Sequence, residues 1–185
     1  MSCDHEIAIN AAMRQGQWEV VYDEAHRWSE QPACGPLPFF ALNVVCMLRG
    51  DFAEAWQVYP RALGEEADVQ LVREWMERLR NQFSDEPQFL LFEGLFYTQS
   101  GQLEEAVANY ERVVNLAPTS PYPHFFLAQI YQVKNRIDQA IKAYREAIKR
   151  DPTYVAARLK LGVAYQDQGQ LEMAIPQYRE VLKLR

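Results

Sequence analysis

The sequence predicts an all-α solenoid of about five helix-turn-helix repeats plus one extra helix, and three observations carry that prediction. First, the chain repeats itself. Tyr97, Tyr131 and Tyr165 lie 34 residues apart, and the sets Ala106, Ala140, Ala174; Tyr110, Tyr144, Tyr178; and Gly101, Asn135, Gly169 keep the same spacing. Second, apolar residues within each period recur at three- and four-residue steps, as helices with one buried face require. Third, the segments between the apolar runs are short and carry helix-stopping residues, so successive helices must double back.

The N-terminal part carries the pattern faintly. In EIAINAAMRQGQWEVVYDEAHRWSEQP, Gly16 marks a turn, with Trp18, Val21 and Ala25 at the positions that carry the repeat elsewhere. In PLPFFALNVVCMLRGDFAEAWQVYPRALG, Gly50 marks the next turn, with Cys46, Phe52, Ala55 and Tyr59 in register. Terminal repeats are expected to be atypical. The register then breaks once, between Gly50 and Gly101. The inserted segment, EEADVQLVREWMERLRNQFSDEP, places Val69, Val72, Trp75, Met76, Leu79 and Phe83 on one helical face, with Asp68 as cap and Asp85-Glu86-Pro87 as stop. The expected organisation is residues 2–64 as two divergent repeats, 65–86 as an amphipathic linker helix, and 87–185 as three regular repeats (87–120, 121–154 and 155–185).

Each regular repeat reads as helix, tight turn and antiparallel helix. Leu127, Ala128 and Tyr131 mark the first helix of the middle repeat; Ile137, Ala140, Ile141, Tyr144, Ala147 and Ile148 mark the second. Asn135, like Gly101 and Gly169, can take the left-handed backbone that ends a helix. Asp151-Pro152 closes the second helix, because the residue before proline is driven out of helical conformation. The alanine column lets paired backbones approach, and the tyrosines fill the space beside it with a phenolic edge that can stay wet. Glu93 breaks the pattern: it stands where Leu127 and Leu161 stand later, so it requires either an exposed edge or a partner. Pro60 and Pro176 fall inside expected second helices, marking either kinks or later helix starts.

The residues LGVAYQDQGQLEMAIPQY, with their Leu-Gly, Tyr, Gly, Ala and Tyr spacing, and the prolines Pro118 and Pro152 near the repeat ends resemble the tetratricopeptide repeat. That resemblance implies a right-handed superhelix whose first helices line a concave groove, with protein binding as its use. By the geometry of the family, Phe40, Val44, Leu91, Leu95, Tyr122, Phe125, Gln129 and Lys160 line the groove. The face is apolar and aromatic in its middle, suiting an apolar peptide or the apolar face of a helix. Some family members clamp a chaperone's terminal carboxylate with basic residues. Here Lys160 is the sole lysine on those faces, and Glu6 and Asn10 stand in the first repeat, so that activity is not expected. Replacing Leu91 and Phe125 by Glu is expected to abolish partner capture with helical content intact.

No chemistry competes with this reading. Cys3, Asp4 and His5 adjoin but lack a further ligand, His26 and His124 stand alone, and there is no phosphate loop or nucleophile motif, so no metal, no cofactor and no catalytic residue is expected. Three cysteines, Cys3, Cys34 and Cys46, show no metal-knuckle spacing, and Cys46 reads as core. The net charge of −6 opposes nucleic-acid binding. Its distribution is uneven. Up to Glu86 the chain has 7 Arg, no Lys and 15 acids, whereas the remainder has 12 bases and 10 acids. No stretch is long and apolar enough to span a membrane, and a cytoplasmic adaptor, assembly factor or co-chaperone is expected. Because no polar helix follows the last repeat, its end face is expected to be covered by a partner or by another copy. Self-assembly through the ends is accordingly the alternative function.

Overall fold

The computed structural model describes residues 2–31, 37–49, 54–55, 57–58 and 69–184. The turn at Gly50, positions Phe52, Tyr59 and Pro60, Cys34, the cap Asp68 and the side chains of Cys3 and Trp75 lie outside the described residues. Every element bounded among the described residues is a helix: α1 (Ser2–Arg14), α2 (Trp18–Ser29), α3 (Leu37–Arg49), α4 (Val69–Phe83), α5 (Pro87–Gln99), α6 (Leu103–Leu116), α7 (Tyr122–Val133), α8 (Ile137–Arg150), α9 (Val155–Asp167) and α10 (Leu171–Lys183). The all-α repeat architecture read from the sequence is present. The chain divides into two compact units, Met1–Phe92 and Glu93–Arg185.

In the N-terminal unit, α1 and α2 form a helix pair closed over Ile9, Val21, Ala25 and Trp28. The ring of His5 stacks on Trp28, its Nδ1 lies 2.6 Å from a Glu24 oxygen, and its Nε2 lies 2.7 Å from the Gln31 amide nitrogen. His5 therefore serves the packing of this pair. In α3, Asn43 is buried and donates to the Ala55 carbonyl at 2.6 Å, and Cys46 is buried core as expected. The inserted segment forms α4, which buries Met76 and Leu79 and brings Phe83 against Trp18 and Phe89.

The C-terminal unit shows why the spacing is 34. Its three turns share one hydrogen-bond pattern. Gln102 N–H donates to Tyr97, Arg136 N–H to Tyr131 and Gln170 N–H to Tyr165, while Gly101, Asn135 and Gly169 donate to Thr98, Gln132 and Gln166. These paired bonds are a Schellman motif, which needs one left-handed residue, and Gly101, Asn135 and Gly169 have φ of 77°, 55° and 74°. The same motif, with Gly16 at φ 66°, closes α1.

Beyond the turn, Ala106, Ala140 and Ala174 are buried where the helices of each pair meet. A Cβ on Gly94 or Gly162 would enter the ring of Tyr110 or Tyr178, so those glycines make room for the tyrosine column. Each tyrosine finds a partner on its own first helix. Tyr144 O–H donates to Gln132 at 2.6 Å and Tyr178 O–H to Gln166 at 3.1 Å, and Tyr110 meets Thr98 at 3.3 Å. Burial pushes the Tyr144 hydroxyl well above the ordinary phenol pKa.

Glu93 has the partner its position demands. It is buried, and its Oε2 accepts from Asn109 Nδ2 at 2.7 Å. Pro176 lies inside α10, which starts at Leu171, so the helix accommodates the proline and does not begin after it. Successive repeats are stitched by equivalent links, Lys134 to Glu104 at 2.7 Å and Gln168 to Asp138 at 2.6 Å.

Candidate functional site

The eight residues expected to line a groove fall into three groups. Phe40, Val44, Leu91, Leu95 and Phe125 are buried; Tyr122 and Gln129 are half-buried; Lys160 is exposed. Phe40 packs edge-on against Phe92 in the N-terminal unit. In the C-terminal unit, Phe125 sits in an aromatic cluster with Phe126, Tyr144 and Tyr154, and Tyr122 packs edge-on against Tyr154. Burial is the main cause raising the Tyr122 and Tyr154 hydroxyls above the usual phenol range. Of the expected first-helix residues in this unit, Tyr122, Gln129 and Lys160 are the ones with exposed surface, and Tyr122 lies beside the aromatic cluster.

A second surface lies on α10. Ile175 is 49% exposed and Leu182 74% exposed, whereas Ile141, the counterpart of Ile175 one repeat earlier, is 8% exposed. The difference arises because α9 packs against α8 and covers it, while α10 carries an apolar stripe, Leu171, Ile175 and Leu182, open to water.

A third feature escaped the sequence reading. A cavity of about 900 Å³ opens between α8, α9 and α10. Lys142, Arg145, Lys149 and Arg158 stand around it, with Glu146 between them, and Ile148, Leu161, Tyr165 and Met173 supply apolar lining. Glu146 is held by Arg150 at 2.6 Å, and this hydrogen bond keeps its carboxyl below the usual range. The signal was present in the sequence: Lys142, Arg145 and Lys149 share one face of α8 at helical spacing, in the half of the chain to which lysine is confined. Among the described residues, no group of three or more His, Cys, Asp and Glu is placed to hold a metal ion. No helix among them is long and apolar enough to cross a membrane.

Helix pairs on one fixed period, joined by one repeated turn and stacked through one column of small residues, define a helical repeat protein of the solenoid class. The tetratricopeptide profile described as "TPR repeat" matches residues 94–134 and 133–169, and that described as "Tetratricopeptide repeat" matches 155–185. Residues 94–185 are thus tetratricopeptide repeats. Among solved structures it resembles "MamA 41-end from Desulfovibrio magneticus RS-1", at 16% identity over 99% of this chain and 94% of that one, with a TM-score of 0.57. It also resembles "MamA MSR-1 C2", at 17% identity over 99% and 95%, with a TM-score of 0.57. These likenesses concern the fold. A comparison with curated proteins finds no match.

Proposed function

We propose that the protein is a non-enzymatic interaction scaffold, an adaptor that holds an apolar peptide or amphipathic helix on the first-helix face. The observation that supports this reading is the half-buried Tyr122, which packs on Tyr154 and through it on the buried Phe125, with Gln129 and Lys160 also exposed on first helices. Such packing lowers the ordering cost of binding, because the aromatic groups are already immobilised before a partner arrives. Leu91 and Phe125 are themselves buried. Replacing Leu91 or Phe125 by Glu is therefore a test of folding, since each would place a carboxylate in the core.

The binding test uses surface positions. Peptides selected from a displayed library on the wild-type protein are measured against Tyr122→Ala and Lys160→Glu. Apolar-rich peptides that weaken about tenfold or more on either variant support the groove reading. Peptides that bind both variants as tightly as wild type refute it.

The α10 stripe favours a second reading, self-assembly through that helix face. Apolar side chains open to water on a helix whose counterpart is covered gain from association. Light scattering over a range of concentrations separates the two. Growth in mass that disappears in Ile175→Glu/Leu182→Glu supports self-assembly, and a monomer at every concentration removes it.

A further inference from the structure

The cavity between α8, α9 and α10 has none of its lining in the first-helix face, and its chemistry differs. Four cations surround it. The acid among them, Glu146, is hydrogen-bonded to Arg150 and lies near Lys149, and Arg158 donates to the Pro152 carbonyl, so Lys142 and Arg145 carry the unbalanced charge. Among the described residues, Lys142 and Arg145 have no hydrogen-bond or ion-pair partner. The fold does not require these charges: one repeat earlier, the positions of Lys142, Arg145 and Lys149 carry Ala108, Glu111 and Asn115 on an equivalent helix. Four like charges around a recess raise a positive potential there, and the recess focuses it. Ile148, Leu161, Tyr165 and Met173 add apolar lining that a purely ionic ligand would leave uncovered.

We propose that this cavity binds an acidic peptide segment of another protein, one that carries a large apolar side chain among its carboxylates. The carboxylates meet Lys142, Arg145 and Lys149, and the apolar side chain enters over Leu161 and Met173. A polynucleotide fits less well. It has no apolar group for the apolar lining, and the net charge of −6, concentrated in the lysine-free N-terminal part, repels an extended polyanion.

The test is fluorescence anisotropy on the intact chain with three labelled probes: a short Asp/Glu peptide with a central Leu-Phe pair, the same peptide with Gly-Gly at the centre, and a single-stranded oligonucleotide. The Leu-Phe peptide is expected to bind. The Gly-Gly peptide is expected to bind at least about tenfold more weakly, and rising salt is expected to weaken the contact. Lys142→Glu/Arg145→Glu should reduce affinity by about a hundredfold, and Met173→Asp should remove the advantage of the Leu-Phe centre while leaving the salt dependence. Circular dichroism confirms that each variant is folded, and the salt series on wild type needs no variant. Absence of Leu-Phe peptide binding overturns the proposal, as does equal binding of the Gly-Gly peptide, tighter binding of the oligonucleotide, or unchanged affinity in the charge-reversed variant. Self-association that is lost in the charge-reversed variant would give the site to a second copy of this chain and overturn it equally.

Discussion

Replacing Asn109 by Ala should expose what Glu93 costs the fold. Glu93 occupies a column that later holds Leu127 and Leu161, yet it is only 3% exposed, and Asn109 donates to it at 2.7 Å. Removing the donor leaves a buried carboxylate short of a partner, a loss of about 1–3 kcal/mol. Glu93 keeps at least one further interaction, which places the expected value toward the lower end. Glu93→Leu removes the buried group itself and restores the repeat pattern. Replacing buried ionic groups by apolar ones of similar volume is often neutral or stabilising, so this variant should lose less than Asn109→Ala. The double variant carries the pair found in the next repeat, Leu127 with Ala143, and should show a coupling of roughly 1 kcal/mol between the two sites. Urea unfolding of the four proteins, followed by far-ultraviolet circular dichroism, measures the cycle. A loss below about 0.5 kcal/mol for Asn109→Ala, with additivity in the double variant, would refute a paired, buried Glu93.

The other predictions need the same assay. Gly169 has φ 74° and nothing near its absent Cβ, so Gly169→Ala isolates backbone strain and should cost about 1–2 kcal/mol, while Asn135→Gly should be neutral or stabilising. Pro176→Ala restores a donor inside α10 and should stabilise by up to about 3 kcal/mol; no gain would mean that neighbouring residues already compensate for the proline. Burial holds the His124 imidazole pKa below its ordinary value, with Arg150 adding to the effect. The unfolded chain therefore binds the proton more readily. The contribution is fully present above the unfolded pKa of about 6.5 and is lost as pH falls toward the folded value. His124→Gln should flatten the fall in stability as pH drops below about 6.5, and an unchanged slope would assign it to other groups.

The repeat was legible because its columns are set by local geometry that the sequence states directly. A left-handed residue must end each first helix, and Gly101, Asn135 and Gly169 supply it; an alanine must sit where the paired helices touch, and a tyrosine must fill the gap beside it. Even the misfit at Glu93 announced that either an exposed edge or a partner was needed. It did not name Asn109, which lies on the facing helix at a position where the next repeat has Ala143. The reach of the first-helix face was less legible. Spacing shows that Phe125 and Gln129 share a side of α7, but it cannot show how far Tyr144 and Tyr154 close over Phe125. Exposure depends on side chains from the facing helix and the far end of the repeat, and periodicity within one helix holds no information about them.

The same separation explains why the basic cavity was missed. Its cations lie on α8 and α9 and its apolar lining is shared by α8, α9 and α10, so no single segment displays both charge and apolar surface. Within α8 alone, Lys142, Arg145 and Lys149 look like an ordinary solvated stripe, and Ile148 looks like core. Only when α9 and α10 are placed beside it do Leu161 and Met173 join the charges in lining a recess. A helical repeat therefore writes its stability into columns that recur. Its specificity falls on positions where the columns differ, as Ala108 differs from Lys142 and Glu111 from Arg145. Such positions are free of the packing that fixes Ala140 or Tyr144, and charge can be placed there at little cost to the fold. If that division holds, converting Lys142 and Arg145 to the Ala and Glu of the preceding repeat should leave the unfolding midpoint nearly unchanged while it alters binding. A large loss of stability in that variant would show that the cations serve the fold and would remove the reason for reading them as a site.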